Sequence, residues 1–539
     1  MPATQILIIG AGPVGMVSAL CLARAGIECV LIDRHTQRLT APKAHAINPR
    51  SLEICERLGL NATHIRSLGA SREDGGMVHF MDTLSSTCFG GLPYERQDDA
   101  ALAHTPWPLV NIPQPVFEQC LEEALSSTPE VTFLRGVTAA DIEEQDNQVI
   151  ARLTGYEHAE LSAEYIIAAD GAGSRIRDAL GIGMTGPEAI QHFMMIHFEA
   201  DLRPLTQAHP GLLYFCLSPT AGGTFIGYQR DRTWVFMQAY NPATESRADF
   251  DEVTCQRLIS RAAGVEGLKV SIKNVSPWAM SAQVADAYRA DRIFLAGDAA
   301  HRFPPTGGLG LNTGIADAEN IAWKLASVLN QEASTSLLET YETERRPVAQ
   351  INSQQSLSNS AKMMFLFGAV HGNNPDTAAQ HYAAACADPQ TLPEIAAAVE
   401  LQRPHFDSFN LQIGYKYGAA VDADQLDISK YVPAFEVGDF LPLTPLSDSP
   451  WLLGKLSPTC FSLLTGPVGH AWRTDCVTTL VENQDFHPKK PFWQQAQLTD
   501  SGALLIRPDG HIAARWEAVP TDPKNALTRA MAQCLGHNS

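Results

Sequence analysis

The feature that most constrains the fold is a glycine-rich segment, residues 10–15, with the sequence GAGPVG. It follows a short apolar run, residues 6–9, and precedes a helical stretch that ends near Gly26. A second apolar run, residues 29–32, ends at Asp33. Short, continuously apolar runs are typical of parallel strands that are buried on both faces. The spacing therefore predicts a βαβ unit with a parallel pair of strands.

Each glycine of this segment has its own role in binding a dinucleotide. Gly10 permits the tight turn, Gly12 lets the backbone approach a pyrophosphate, and Gly15 lets the helix pack closely on the strand. The helix N-terminus then faces the phosphates with unpaired N–H groups. Asp33 lies where a carboxylate accepts hydrogen bonds from ribose hydroxyls, and we assign it and Arg34 to this site. On its own, the motif suits either NAD or FAD.

A second motif, residues 165–175, has the sequence YIIAADGAGSR. It is an apolar strand that ends in a flexible turn with one acid, Asp170, which we predict to lie at the cofactor. The alternative is an ordinary strand-to-helix turn that is capped by Asp170 or Ser174. Taken alone, this motif favours the alternative.

A third motif begins with the strand-like residues 292–296 and continues through Asp298 into a segment rich in proline and glycine. An acid at the end of a strand binds a ribityl hydroxyl, and glycines bring bare backbone against a flat ring. A helix that starts near Asn312 would aim its N–H groups at the flavin edge where negative charge gathers on reduction. The residues of this segment that we predict to contact the cofactor are Pro305, Gly308, Gly310, Leu311 and Asn312.

In this order and spacing, the three motifs resemble those of the single-component aromatic hydroxylases built on the para-hydroxybenzoate hydroxylase fold. The resemblance spans roughly residues 5–350. Residues 111–114 resemble the family segment whose glutamine, here Gln114, contacts the flavin, and Asp170 falls in the motif that the family shares between FAD and NAD(P)H. Residues 507–510 resemble the thioredoxin-like C-terminal extension of the phenol hydroxylase branch, here without a C-x-x-C pair and therefore structural in role.

The predicted fold is α/β. A Rossmann-like FAD-binding domain is expected in residues 1–75, 100–190 and 280–400, with an interleaved, sheet-rich substrate domain in residues 76–99 and 191–279. A thioredoxin-like domain is expected in residues 437–539. Short strand-like runs on either side of a turn predict one hairpin from 224–228 and 234–237 and another from 504–506 and 511–516. Helical spacing predicts a helix over 312–329.

Only one dinucleotide fingerprint is present, so FAD is assigned to it and NAD(P)H is expected to bind transiently. The resemblance implies hydride transfer to FAD, addition of O2 to give a C4a-hydroperoxide, and hydroxylation of a phenolic or other electron-rich aromatic ring. A phenolate reacts better than a phenol, so a base is expected near the substrate hydroxyl. The resemblance points to His45 for that role, although a single histidine is more often structural.

The predicted hairpin of residues 224–237 supplies further candidates for the substrate pocket. Tyr228 is a second catalytic candidate, and Phe236 and Gln238 are assigned to the substrate. Packing within the strand core explains Phe236 equally well. No residue is assigned to a metal.

Several other functions remain open. Baeyer–Villiger chemistry and polyketide tailoring use oxygen on the same scaffold, and a flavin-binding protein without turnover needs only the cofactor motifs. A plain NAD-dependent dehydrogenase would share the first motif, but the third motif argues against it.

Bulk composition limits the partners. The net charge of −20 opposes binding to nucleic acid or to anionic lipid, because both need an excess of lysine and arginine. The first apolar run is too short to be a signal peptide or to cross a bilayer. The eleven cysteines show no C-x-x-C spacing, which favours reduced thiols over a zinc knuckle. A cytoplasmic protein, monomeric or homodimeric, is expected.

Overall fold

The computed structural model describes residues 2–38, 44–372, 374–388, 390–418 and 425–537. Its strands are β1 (Ala3–Ile9), β2 (Cys29–Asp33), β3 (Ala46–Ile47), β4 (Met77–Met81), β5 (Cys88–Pro93), β6 (Val110–Asn111), β7 (Val131–Arg135), β8 (Thr138–Gln145), β9 (Gln148–Thr154), β10 (Glu160–Ala168), β11 (Met184–Thr185), β12 (Gln191–Glu199), β13 (Leu213–Cys216), β14 (Gly223–Gln229), β15 (Thr233–Ala239), β16 (Ser271–Met280), β17 (Gln283–Ala285), β18 (Arg289–Ala290), β19 (Ile293–Leu295), β20 (His301–Arg302), β21 (Ser462–Thr465), β22 (Thr478–Val481), β23 (Ala503–Ile506) and β24 (Ile512–Trp516).

Its α-helices are α1 (Pro13–Arg24), α2 (Pro49–Arg57), α3 (Ala62–Ser67), α4 (Arg72–Gly75), α5 (Gln114–Ser126), α6 (Arg175–Ala179), α7 (Arg203–Thr206), α8 (Glu252–Ala263), α9 (Leu309–Leu329), α10 (Thr340–His371), α11 (Ala378–Ala387), α12 (Thr391–Glu400), α13 (Phe409–Ile413), α14 (Phe492–Gln495) and α15 (Pro523–Cys534). Short 3₁₀ turns join several of them, and the one that matters for the site is Gly297–Ala299. Among the described residues, every helix is too short or too polar to pass through a bilayer.

The first sheet has eight strands and carries the three cofactor motifs. Its main order is β18-β19-β10-β1-β2-β7, and β9 pairs with β10 and β8 with β9. The neighbours β19, β10, β1, β2 and β7 all run parallel. Their carboxyl ends therefore meet at one edge, where an open α/β sheet binds its ligands. The prediction of an α/β, Rossmann-like cofactor domain is confirmed.

Helix α9 packs against α1 and begins earlier than the sequence predicts. It starts at Leu309, three residues before Asn312, because Gly308 adopts a left-handed backbone (φ +61°) that turns the chain straight into the helix. A Cβ on Gly314 would lie 2.6 Å from the Val14 side chain and 3.0 Å from the Gly297 Cα. The absence of a side chain at Gly314 thus lets α9, α1 and the third motif approach closely.

The second sheet has seven strands in the order β16-β12-β15-β14-β13-β4-β5. It combines strands from two distant stretches of the chain, which fits an interleaved substrate domain, although the predicted domain boundaries stay a prediction. The β14–β15 hairpin is confirmed, with Phe225 opposite Phe236. One face of this sheet packs on α10 and α12, and the opposite face packs on α8.

The third sheet, β22-β21-β23-β24, lies near the C-terminus, and its predicted β23–β24 hairpin is confirmed. Arg507, just after β23, forms ion pairs with Glu344 on α10 (2.7 Å) and with Asp509 (2.5 Å). The Trp323 indole of α9 donates to Asp509 (3.1 Å). Every charge in this buried cluster has a partner, as burial requires. The C-terminal unit therefore packs directly on the helix that follows the third motif.

Candidate active site

At two of the three glycines in the first motif, a side chain would clash with the backbone of the protein. Gly10 has a φ of +104°, and a Cβ there would lie 2.3 Å from the carbonyl oxygen of Ala169. A Cβ on Gly15 would lie 1.9 Å from the Gly10 carbonyl oxygen. Both distances are far inside van der Waals contact. These two glycines close the turn and seat α1 on the sheet.

Gly12 differs, because the protein does not require glycine at this position. Its backbone is extended (φ −72°, ψ 178°), a conformation open to other residues, and it is the N-cap of α1. A Cβ built on Gly12 meets nothing within 4 Å. Open space beside a helix N-terminus fits a group that approaches the bare backbone, and a pyrophosphate is such a group. The geometry at Gly12 therefore suits the predicted pyrophosphate contact, which stays a prediction.

Asp33 and Arg34 lie at the end of β2. The Asp33 Oδ2 accepts a hydrogen bond from the Ala11 N–H (2.9 Å) and Oδ1 accepts one from the His35 N–H (2.7 Å). Each carboxylate oxygen retains a further lone pair for a ribose hydroxyl. Arg34 is exposed and its Nε contacts the His35 ring (3.3 Å). Asp33 therefore braces the glycine turn, and the cofactor contacts of both residues stay a prediction.

The second motif follows β10 at the same edge. The Ser174 hydroxyl caps α6 through the Arg177 N–H (3.0 Å), and Asp170 Oδ2 accepts from the Ile176 N–H (3.3 Å), as the capping alternative expects. Capping leaves Asp170 Oδ1 shielded from solvent without a partner among the described residues. Buried carboxylate oxygens need donors. That oxygen fits a hydroxyl of a bound cofactor.

Arg177 joins the second motif to the third. Its Nη1 donates to the carbonyl oxygens of Ala172 (3.4 Å) and Ala299 (3.2 Å). The third motif is also held from α9, where Asp317 Oδ2 accepts from the Gly297 N–H (3.2 Å) and from His301 Nε2 (2.8 Å). These contacts fix the turn that presents Asp298, whose side chain is exposed.

Asp317 is a fully buried carboxylate that stays charged. Burial by itself would raise its pKa, but Arg345, whose Nε donates to Asp317 Oδ1 (2.7 Å), and His301 outweigh burial and lower the pKa. Arg345 also donates to the carbonyl oxygen of Thr313 in α9 (3.1 Å). The third motif is therefore held by a paired, buried charge.

We expect Asp298→Ala to lose most of the bound FAD, because the variant lacks the carboxylate assigned to the ribityl chain. The measurement is flavin absorbance per protein after purification and after addition of excess FAD. Asp231→Ala is the matched control, since Asp231 is an exposed acid in the turn between β14 and β15. Stoichiometric FAD in the Asp298 variant would contradict the assignment.

The remaining residues of the third motif form a bare backbone segment. Pro305 is exposed, and its carbonyl oxygen accepts from the Gly308 N–H (3.2 Å). A Cβ on Gly308 would lie 2.9 Å from Ala46 Cβ, whereas one on Gly310 would meet only Phe303, at 3.8 Å. Leu311 is partly exposed in the first turn of α9. This segment therefore lies against the chain around His45.

The side chain of Asn312 is fully used within the protein. Its Nδ2 donates to the carbonyl oxygens of Ala46 (2.9 Å) and Gly308 (2.7 Å). Its Oδ1 accepts from the Asn48 N–H (2.9 Å) and the Ser51 hydroxyl (2.7 Å). These four bonds use the whole capacity of the amide, which is buried. The Asn312 side chain therefore holds residues 46–51 against α9, and the predicted contact of the helix N–H groups with the cofactor stays a prediction.

His45 is held in place through both its backbone and its ring. Its carbonyl oxygen accepts from the Ile112 N–H (2.7 Å), and its Nδ1 lies 3.0 Å from Asn111 Oδ1. The Asn111 Nδ2 donates to the Gly75 carbonyl oxygen (2.9 Å), which fixes the orientation of the amide. Nδ1 must therefore carry the proton, and the lone pair of neutral His45 is on Nε2. Burial lowers the pKa of His45, more than the hydrogen bond to Asn111 raises it.

Two tyrosines surround the His45 ring. The ring centroid of Tyr94 lies 5.8 Å away and that of Tyr228 lies 5.9 Å away. The Tyr228 hydroxyl is buried without a hydrogen-bond partner among the described residues, and burial raises its pKa. A Cβ on Gly308 would lie 3.5 Å from the Tyr94 hydroxyl, so this cluster lies beside the third motif. The structure thus brings the two predicted catalytic residues together.

Gln114 lies at the first position of α5, on the other side of the same segment. Its Oε1 accepts from the Ala44 N–H (3.2 Å) and its Nε2 donates to Glu118 (2.7 Å). Its own N–H donates to the Ala44 carbonyl oxygen (3.0 Å). Gln114 therefore holds the residue before His45, and its contact with the flavin stays a prediction.

Phe236 and Gln238 lie on the wrong side of the sheet for the predicted substrate contacts. Phe236 packs on Phe225 (centroids 4.7 Å apart) in the cluster that faces α8. Gln238 pairs with Met194 of that same cluster. Tyr228 belongs to the cluster on the opposite face. Side chains alternate along a strand, and this alternation overturns both substrate assignments.

Comparisons with known proteins agree with this arrangement. The family model described as FAD binding domain matches residues 3–356, well over half of the chain. The chain belongs to this FAD-binding family. A second model, described as aromatic-ring hydroxylase, C-terminal, matches residues 436–538 of this flavoprotein.

Relatives of this flavoprotein are named as hydroxylases and monooxygenases. The aklavinone 12-hydroxylase of Streptomyces peucetius is 34% identical over 381 residues, covering 68% of this chain and 77% of the relative. The 2,4-dichlorophenol 6-monooxygenase of Cupriavidus pinatubonensis is 28% identical over 589 residues, covering 99% and 97%. The crystal structure of the flavin-dependent monooxygenase PieE with FAD and substrate is 28% identical, with a TM-score of 0.90 and full coverage of both chains. The flavoprotein is thus an FAD-dependent monooxygenase.

Proposed function

We propose that this monooxygenase hydroxylates a phenolic ring with NAD(P)H and O2, and that His45 Nε2 is the base that accepts the phenol proton. The observation that carries the proposal is the chain Gly75–Asn111–His45, which fixes the protonation of the ring beside the cofactor motifs. FAD would be held by Gly12, Asp33, Asp170 and Asp298, which lie at or just after the carboxyl ends of β1, β2, β10 and β19. The chemistry that bound FAD supplies is two-electron reduction by NAD(P)H and transfer of one oxygen atom from O2.

His45 is suited to accept a proton at neutral pH. Its ordinary pKa is about 6.5, and burial lowers it, so the imidazole is neutral and Nε2 carries a lone pair. When Nε2 takes the substrate proton, Asn111 Oδ1 continues to accept from Nδ1–H. The base is therefore oriented before the substrate binds, and deprotonation makes the aromatic ring richer in electrons.

Tyr228 has the complementary role of a hydrogen-bond donor. Its raised pKa keeps the hydroxyl protonated at neutral pH. A buried hydroxyl without a partner gains most from a new acceptor, and the oxygen of a phenolate is one. The partly buried methionines on the same face of the sheet, Met195 and Met237, form an apolar wall for the aromatic body of the substrate.

Product analysis with single-ring and polycyclic phenols tests the function. We expect 2,4-dichlorophenol or aklavinone, as representatives of the two classes, to stimulate NAD(P)H oxidation. One oxygen atom from ¹⁸O₂ should appear in the product for each NAD(P)H consumed by coupled turnover. A ring-expanded ester would instead identify Baeyer–Villiger chemistry. NAD(P)H oxidation that no aromatic compound stimulates would favour a flavin-binding protein without turnover.

A further inference from the structure

Three metal-binding side chains meet in the second sheet, away from the cofactor motifs. His79 lies on β4, Cys88 begins β5, and His209 lies in the loop before β13. One donor atom from each lies within 4.8 Å of the others. In the part of the chain that the structure describes, no other group of three or more His, Cys, Asp or Glu residues meets this spacing. None of these three residues belongs to the cofactor motifs or to the cluster around His45.

His79 is prepared as a metal ligand by its hydrogen bonding. Its Nε2 contacts the Pro210 carbonyl oxygen (3.0 Å), and only a protonated nitrogen can do so. The lone pair of the neutral ring is therefore on Nδ1, which is buried without a partner among the described residues. Nδ1 faces β5, since it is the nearest atom, at 2.9 Å, to a Cβ built on Gly91. An imidazole with one nitrogen bound to a carbonyl and the other free is typical of a metal ligand.

The two other ligands are within reach of solvent. Cys88 and His209 are both partly exposed, so an ion can enter between them. The Cys88 Sγ makes only a weak contact with the Gly90 carbonyl oxygen (3.5 Å). The His209 ring lies 5.5 Å from the His79 ring, and the loop is anchored because the Tyr214 hydroxyl donates to the His209 carbonyl oxygen (3.0 Å).

We propose that His79, Cys88 and His209 bind one Zn²⁺ ion, with water as the fourth ligand. Two imidazoles and a thiolate are the donors that zinc prefers, and its sites are tetrahedral. The bond lengths of such sites place donor atoms about 3.3 to 3.8 Å apart, so small side-chain rotations close the observed spacing. The ion ties the β4–β5 hairpin to the loop before β13, and the Cys88 thiol releases its proton to solvent on binding.

The sequence gives no sign of this site, because its ligands are not spaced as a zinc motif. Pairing of β4 with both β5 and β13 brings them together. The site differs from the flavin site in residues and in chemistry. Its test therefore does not depend on the monooxygenase assignment.

Titration of the tag-free holoprotein with Zn²⁺ and Co²⁺ tests the proposal. After dialysis against a chelator, we expect one Zn²⁺ per chain by calorimetry. Bound Co²⁺ should show the intense near-ultraviolet band of a thiolate ligand. Cys88→Ser should lose the band and weaken Zn²⁺ binding at least tenfold, and His209→Ala should weaken binding similarly. Cys476→Ser, which changes an exposed cysteine in the turn before β22, is the matched control and should bind like the wild type.

Flavin content and the far-ultraviolet circular dichroism of each variant report whether it folds. His209 is partly exposed in a loop, so its alanine variant keeps the test decisive if Cys88→Ser proves unstable. The proposal is overturned if the folded wild-type protein binds no stoichiometric Zn²⁺. It is also overturned if folded Cys88→Ser or His209→Ala binds Zn²⁺ as tightly as the wild type.

Discussion

Gly12→Val folds and is purified without FAD: this is the expected result with the largest effect on cofactor content. The Cβ of the valine enters a space in which only the adjoining residues lie within 4 Å, so we expect the variant to fold. The same space is where the pyrophosphate must approach the N-terminus of α1. Flavin absorbance per protein measures the cofactor content, and a thermal unfolding curve reports whether the variant folds.

Two other glycines provide the controls for this prediction. Gly368, in α10, also has no atom within 4 Å of a built Cβ, and Gly368→Val should keep FAD. Gly15→Val should instead fail to fold, because its Cβ would lie 1.9 Å from the Gly10 carbonyl oxygen. Normal FAD binding by Gly12→Val would mean that residues 10–15 form only a structural turn.

The sequence predicts the cofactor motifs well because each one is local. A strand, a glycine turn and an acid follow each other within a few residues, and parallel pairing then places the ends of β1, β2, β10 and β19 together. The start of α9 is less predictable. Gly308 begins the helix through its own left-handed backbone, which the residue pattern alone does not reveal.

The contacts that the sequence does not reveal join residues that are distant in the chain. Asn312 is saturated by Ala46, Asn48 and Ser51, more than 260 residues away, and no local pattern indicates such contacts. Alternation along β15 puts Phe236 and Val235 on different faces of the sheet, but only the packing of α8 tells which face is remote from His45.

Asn111 and Tyr94 are the functional candidates that the sequence reading misses. Asn111 lies within the recognised segment 111–114, yet its role depends on the pairing of β3 with β6 and on the Gly75 carbonyl oxygen. Tyr94 follows β5 and reaches His45 only through the tertiary fold. Contacts between separate strands thus determine which ring nitrogen of His45 carries the proton. The sequence alone does not reveal these contacts.

If His45 is the base, His45→Ala should retain FAD and its reduction by NAD(P)H, while coupled hydroxylation falls by about 10² to 10⁴. Oxygen consumed without product should then appear as hydrogen peroxide. Wild-type hydroxylation should fall at acidic pH, because a protonated Nε2 accepts nothing. Burial lowers the pKa of His45, so this acidic limb of the pH profile should lie at a pH below the ordinary histidine pKa of about 6.5. The measurement is the pH dependence of product formation and of peroxide release, for both proteins.

Asn111→Asp separates a base from a merely structural histidine. A carboxylate beside Nδ1–H stabilises the imidazolium and raises the pKa of His45, so the acidic limb should move to higher pH while FAD is retained. Because the protonated imidazole is inactive, the variant should be slowed most between the old and new limbs and least in alkali. If His45 has only a structural role, the acidic limb of the pH profile should not move. An unmoved limb in Asn111→Asp, together with wild-type hydroxylation by His45→Ala, would return His45 to a packing role. The Tyr228 hydroxyl, buried beside it without a partner among the described residues, would then become the group to test.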